Sequence, residues 1–269
     1  MIEIAPRQLP ASSDWFTAGG PGPAVVGEHA LGTGHGRWWG DRSDRPRVVA
    51  VCCAGHTVLR GDPAGLDAAG LAPFAHTRID APAAFLPLLG AAFERITPVA
   101  RMVWTQVTAP QRCAAPHGVR VRRLEPADAD ALAALGPGAA RITAGWGGPL
   151  GLAAAGHGWA AVGRDGRLLA VACSFFRGVR YEEVAVRAAS DRRGHRPALS
   201  CVAALSADIR GRGHAPSWNC STADRPGRLL AWTSGFRLVR EYVGHAAGAA
   251  VGRSRTNSMI FLRDADPAA

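Results

Sequence analysis

Residues 181–236 alternate short apolar strands with helices, and that order restricts the fold more than any other feature of the chain. Tyr181-Glu182-Glu183-Val184-Ala185-Val186 reads as a strand carrying two adjacent carboxylates. Asp191-Arg192-Arg193-Gly194-His195-Arg196 then turns into a helix expected over residues 199–212. Pro216-Ser217-Trp218-Asn219-Cys220-Ser221 predicts a further strand, and Leu229-Leu230-Ala231-Trp232 a helix that stops at Gly235-Phe236. A turn of backbone amides that opens a helix supplies N–H donors and the positive end of the helix dipole, a natural seat for a pyrophosphate.

The elements before this stretch complete the pattern. Val119-Arg120-Val121-Arg122-Arg123-Leu124 alternates as a strand does, and Glu125-Pro126-Ala127-Asp128 opens a helix expected to run through Leu135, with proline and acids in its first turn. Strands are expected at 158–163 and 168–176 around Arg164-Asp165-Gly166-Arg167, whose Asp-Gly is a hairpin signal. The second half therefore runs strand, helix, three antiparallel strands, helix, strand, helix, strand. That order argues for an α/β (α+β) mixed sheet and against a doubly wound parallel one.

Residues 108–118 have linker composition and divide the chain into units expected at 1–112 and 113–269. In the first, strands are expected at 47–54 and 57–60 around Gly55, a helix at 83–96, and a closing strand at 101–108.

The formal net charge is +10, and arginine supplies all of the basic residues, with no lysine in the chain. A nucleic-acid surface is one reading of that charge. The arginines are scattered without interleaved aromatics, however, which points to coding bias and a general attraction for anions. Cys52, Cys53, Cys113, Cys173, Cys201 and Cys220 form neither a CxxC pair nor a zinc spacing, so neither a metal nor a disulfide framework is expected. No run approaches the ~20 apolar residues of a membrane span and no secretion signal is visible, so the expectation is a cytoplasmic protein without a membrane partner.

Two groups of side chains suggest chemistry. On a strand, Glu182 and Glu183 face opposite ways, and one carboxylate near a bound amine is a candidate proton acceptor. The alternative is that both are solvated or paired with Arg180 and Arg187. Trp146 and His157 lie in glycine-rich segments that read either as loops over a ligand or as a turn and a core tryptophan.

With these motifs in place, residues 119–242 resemble the GNAT superfamily of N-acetyltransferases, in the branch with a Ser-Trp strand before the last helix and Gly-Phe. The phosphate-turn pattern of that family, Arg/Gln-x-x-Gly-x-Gly/Ala, is met at Arg193 and Ala198, with Gly194 as a frequent companion. Arg196 replaces the central glycine, and Pro197 suits a first helical turn. The resemblance implies an acetyl-CoA or other acyl-CoA donor held by Arg192, Arg193, Gly194, His195, Arg196, Pro197 and Ala198. The backbone of Val186 and Ala188 would meet its pantetheine arm, and Asp224 stands where asparagine is usual. It implies a base on the first strand, Glu182 by preference and Glu183 in reserve. Trp146, His157 and Trp218 are implied on the substrate side. The tyrosine that many relatives place four residues before the Gly-Phe glycine is Ala231 here.

The implied activity is transfer of an acetyl group to a primary amine of a small molecule by direct attack. A non-catalytic binding module, or an enzyme with an unusual acyl donor or different chemistry in the same cleft, is the alternative. Gly36-Arg37-Trp38-Trp39 and Leu59-Arg60-Gly61-Asp62-Pro63 resemble the same branch, so the first half is read as a candidate degenerate copy that shapes the acceptor pocket or an interface.

Overall fold

Ala54 and Gly55 both take positive φ, 49° and 73°. This is the backbone of a two-residue hairpin turn whose twist matches its strands. The turn joins β3 (Val48–Cys53) to β4 (His56–Gly61) with Cys53 paired to His56, as the sequence pattern leads one to expect. The computed structural model describes residues 1–6, 20–108, 115–189 and 195–251. Before the hairpin come β1 (Ile2–Ile4), α1 (Ala24–Thr33) and β2 (Arg37–Gly40); after it come β5 (Arg78–Asp80), α2 (Leu86–Ala92) and β6 (Ile96–Gln106). The second half contains β7 (Arg120–Arg123), α3 (Ala129–Ala133), α4 (Pro137–Thr143), α5 (Pro149–Ala154), β8 (Gly158–Val162), β9 (Leu168–Arg177) and β10 (Tyr181–Ala188). It ends with α6 (His195–Gly211), β11 (Ala215–Ser221), α7 (Arg225–Thr233) and β12 (Phe236–Ala247).

The strands of the described residues form one mixed sheet in the order β1-β2-β3-β4-β5-β12-β6-β11-β10-β9-β8-β7. Only β4 with β5 and β10 with β11 are parallel. These two pairs occupy equivalent places, because each half runs strand, helical segment, three-strand meander, crossover, parallel strand, helix, final strand. The crossover is the 17-residue α6 in the second half and only a 3₁₀ turn at Ala68–Phe74 in the first. The first half thus repeats the element order of the second with a shorter crossover.

The final strands are exchanged. β6, from the first half, pairs with β11, and β12, from the second, pairs with β5. β6 and β12 also pair with each other from Ile96↔Ala247 to Gln106↔Phe236. Neither half completes its own sheet. A fragment of residues 113–269 is therefore expected to aggregate or self-associate, because β11 loses β6 and exposes an unpaired edge. A monodisperse monomer in light scattering, with far-ultraviolet dichroism matching that region of the full chain, would contradict this.

Burial follows strand alternation. Val49, Val51 and Cys53 of β3 enter a core shared with Leu132, Trp146, Leu152 and Phe176 of the second half. Val48 and Ala50 face a first-half core built on Trp39, Leu71, Phe74, Phe85 and Leu89. A third core packs Val202, Leu205 and Ile209 of α6 against Ala170, Ala172, Val184 and Trp218. The halves are also tied by His29 of α1, which accepts from the Arg177 N–H at 3.0 Å and so donates from Nε2 to the Gly145 carbonyl at 2.7 Å. Burial lowers its pKa and keeps the ring neutral.

One local expectation differs from the structure. The helix expected at 83–96 ends at Ala92; Phe93 is extended and Ile96 already belongs to β6. The Gly136-Pro137 and Gly148-Pro149 pairs start α4 and α5. Each glycine takes positive φ before a proline at the first helical position.

Candidate active site

β10 and β11 are paired only from Tyr181↔Ala215 to Glu183↔Ser217. Beyond that point β10 continues along β9, from Val184↔Ser174 to Ala188↔Ala170, while β11 continues along β6. The parting coincides with a bulge on β9, where Phe175 is skipped between Phe176↔Glu183 and Ser174↔Val184. Such a bulge bends a ladder and breaks its run. A cleft of about 1160 Å³ opens between the strands, walled by Val184–Ala189 on one side and Trp218–Ser221 on the other. The β10 backbone groups that face β11 here have no strand partner, and buried peptide groups require one.

The two adjacent carboxylates have different fates. Glu182 is fully buried and turned toward the last turn of α6. It accepts from Ser174 Oγ at 2.5 Å and from Arg212 at 2.7 and 3.2 Å, and His214 Nδ1 lies 3.0 Å away. Arg212 also pairs with Asp208, which in turn pairs with Arg123. Glu182 therefore sits in a buried ion network and does not line the cleft. Glu183 faces the other way, 5% exposed, at the apex of the splay. Burial pushes its carboxyl up to about 7, against the opposing pull of Arg101, the Asn219 amide and Arg78.

Around Glu183 both halves contribute. Arg101 of β6 donates to the Asn219 side-chain oxygen at 2.8 and 3.2 Å, and the Asn219 amide donates to the Tyr242 hydroxyl at 3.0 Å. The strand exchange is what brings Arg101 beside Asn219 of β11. His56 of β4, Arg78 of β5 and Arg141 of α4 line the same end of the cleft. His56 Nδ1 lies 3.2 Å from the Ala54 carbonyl, and burial together with the three arginines drives the imidazole down to about 3. At neutral pH it is an uncharged ring.

The other sequence-derived candidates divide. Val186, Ala188, Ala198, Trp218 and Asp224 line the cleft. Asp224 also caps α7 by accepting from the Gly227 N–H at 3.0 Å, a job an aspartate does as well as an asparagine. Arg196 is exposed and Pro197 buried in the first turn of α6, whose helix begins at His195. Arg192, Arg193 and Gly194 lie outside the described residues.

Trp146 and His157, expected on the substrate side, are not among the residues lining the cleft. Trp146 donates to the Ser174 carbonyl at 2.7 Å and stacks on His157 at 4.9–5.0 Å from the His29 and His157 rings, as part of the core between the halves. The packing of two faces of the sheet outweighs the loop-like composition around them. Sequence reasoning missed His56, Arg78, Arg101, Arg141, Asn219 and Tyr242 as a group. Apart from Arg141 of α4, their shared sequence signal is polarity at strand positions, and the exchange of β6 and β12 helps to assemble them.

Comparison with known proteins agrees with this fold. A family model described as GNAT acetyltransferase matches residues 112–245. A Streptomyces virginiae protein, described as an uncharacterized N-acetyltransferase in the mutA 5′ region, is 53% identical over 214 residues, covering 80% of this chain and 90% of its own. Among solved structures, a GCN5-related N-acetyltransferase-like protein from Streptococcus suis superposes with a TM-score of 0.68 at 16% identity, covering 87% of this chain and 94% of that one. A tandem GNAT protein from the clavulanic acid biosynthesis pathway gives a TM-score of 0.51 at 15% identity, covering 83% and 87%. The chain belongs to the GNAT superfamily of N-acetyltransferases and is an acyl-CoA N-acyltransferase. Among the described residues no group of side chains has the make-up of a metal site, and no helix is long and apolar enough to cross a membrane.

Proposed function

We propose that the protein transfers an acetyl group from acetyl-CoA to a primary amine of a small molecule by direct attack. In this reading residues 113–269 form the catalytic unit and residues 1–112 wall its acceptor side. The observation that carries it is a buried carboxylate, Glu183, at the apex of a splay where β10 has no strand partner on its β11 side. The residues present fit the donor. The cleft is long enough for an extended arm, its β10 wall offers peptide groups, and Arg187 along it has a buried Nε without a hydrogen-bond partner among the described residues.

Acetyl-CoA supplies the activated acyl group. Glu183 accepts a proton from the acceptor's ammonium, the freed nitrogen lone pair attacks the thioester carbonyl, and the C–S bond breaks so that coenzyme A leaves as the thiol with the second proton that the nitrogen sheds. A carboxyl near 7 is matched to that task at neutral pH, whereas an ordinary glutamate is a weaker base. Backbone N–H groups of β10 at Val184–Ala188 are the candidates to stabilise negative charge at the carbonyl oxygen. The preference for Glu182 that the sequence suggests passes to Glu183, because the oxygens of Glu182 are occupied by Ser174, Arg212 and His214. Phosphate recognition is assigned to the start of α6, because the first N–H groups of a helix lack intrahelical acceptors.

Isothermal calorimetry tests the donor. Acetyl-CoA and coenzyme A are expected to bind saturably at one site per chain. No heat of binding at millimolar concentration removes the donor assignment.

A further inference from the structure

The acceptor end of the cleft carries more positive charge than proton abstraction from an amine requires. Arg78, Arg101 and Arg141 line it together with Glu183 and the neutral His56. Arg101 is held by Asn219. The side chains of Arg78 and Arg141 line the cleft on exposed residues and make no hydrogen bond or ion pair among the described residues. The nearby acid Asp80 is already paired with Arg60 at 2.7 Å. Three guanidinium groups thus face one carboxylate in a site whose preferred amine is itself a cation. An amine alone would be repelled there.

We propose that the acceptor is a small amine that also bears an anionic group, a carboxylate by preference, which Arg78 and Arg141 bind while its ammonium faces Glu183. This rests on the transferase reading above and adds the chemical class of its acceptor. The donor's own phosphates are too far away to be the anion. From Glu183 to Ala188 the strand rises about 16 Å toward the start of α6, at about 3.3 Å per residue. Arg78 and Arg101 come from the first half, and Arg141 of α4 faces the same end of the cleft. Beside it Arg78, Arg101, His56 and Glu183 share a second cavity of about 40 Å³ with Pro23, Val26 and Val58. That small apolar lining suits the short carbon body of an amino acid. Arginine is the side chain best shaped for a carboxylate, because its fork of donors matches both oxygens.

The test pairs each acid with its neutral primary amide: glycine with glycinamide, β-alanine with β-alaninamide, 4-aminobutyrate with 4-aminobutyramide. Coenzyme A release from acetyl-CoA is followed with wild type, Arg78→Gln, Arg141→Gln and the double variant. Calorimetric titration of the same compounds into enzyme saturated with coenzyme A gives a second readout, free of turnover. For the best-matched pair, kcat/KM is expected to favour the acid by roughly 10²-fold or more. Each arginine replaced should cut the acid-to-amide ratio by about 10-fold or more, as expected for charge-assisted hydrogen bonds.

Equal use of acid and amide, or preference for the amide, overturns the proposal and leaves acetyl transfer standing. The same holds if succinyl-CoA or malonyl-CoA is preferred to acetyl-CoA with a neutral amine and the arginine variants abolish that preference, since the anion then belongs to the acyl group. If no member of the panel is acetylated, the titration decides: acid binding that the double variant loses supports the pocket, and absence of acid binding overturns it. Failure of coenzyme A itself to bind strikes the donor assignment instead.

Discussion

Glu183→Gln should lower kcat by roughly 10²–10⁴, the usual contribution of a positioned general base. The pH dependence identifies the group. With the carboxyl at about 7 in the free enzyme, wild-type kcat/KM should rise about tenfold per pH unit below that value and level off above it, because only ionised Glu183 accepts a proton. The glutamine variant should lose that inflection. Its stability should move the opposite way. A carboxyl whose folded pKa is raised favours folding below its unfolded value, near 4.5, and that advantage is lost as pH rises toward 7. The Tm of Glu183→Gln relative to wild type should therefore increase between pH 4.5 and 7 and stay constant above. A retained inflection in the variant, or an unchanged rate, would move the base elsewhere.

That prediction depends on a distinction only partly visible in the sequence. Strand alternation is enough to place Glu182 and Glu183 on opposite faces, and the order of elements from 119 to 236 is enough to expect the mixed sheet, the hairpins and α6. Which of the two faces meets the cleft depends on what lies across the sheet. Ser174 of β9 and the pair Arg212 and His214 just after α6 converge on Glu182 from two separate segments. No local pattern announces that meeting. The same holds for the exchange of β6 and β12. A strand of period two pairs equally well with any antiparallel neighbour, so the pairing of Asn219 with Val103 and not with a residue of β12 is a property of the assembled sheet. Arg101 became a site residue through that pairing alone. Trp146 illustrates the reverse case: glycines around it suggested a loop, yet its indole is fixed to the Ser174 carbonyl inside the core.

The separation of roles is sharpest for Glu182. Glu182→Ala should destabilise the fold by about 3–5 kcal/mol, the range for removing one partner of a buried ion pair. The cause is the charge left behind: Arg212 would keep only Asp208, and Ser174 would lose its acceptor in a closed interior. For a domain somewhat above 150–250 residues each kcal/mol shifts Tm by roughly 2–4 °C, so a drop on the order of 10 °C is expected in thermal denaturation. Below the melting range, kcat per folded molecule should change by much less than in Glu183→Gln, and the inflection near pH 7 should persist. Glu182→Gln keeps the shape and isolates the charge, so it should lose stability in the same direction and by less. If Glu182→Gln instead melts like wild type and loses 10²-fold or more in kcat, the network is catalytic, and the proton acceptor lies beneath α6 and not in the cleft.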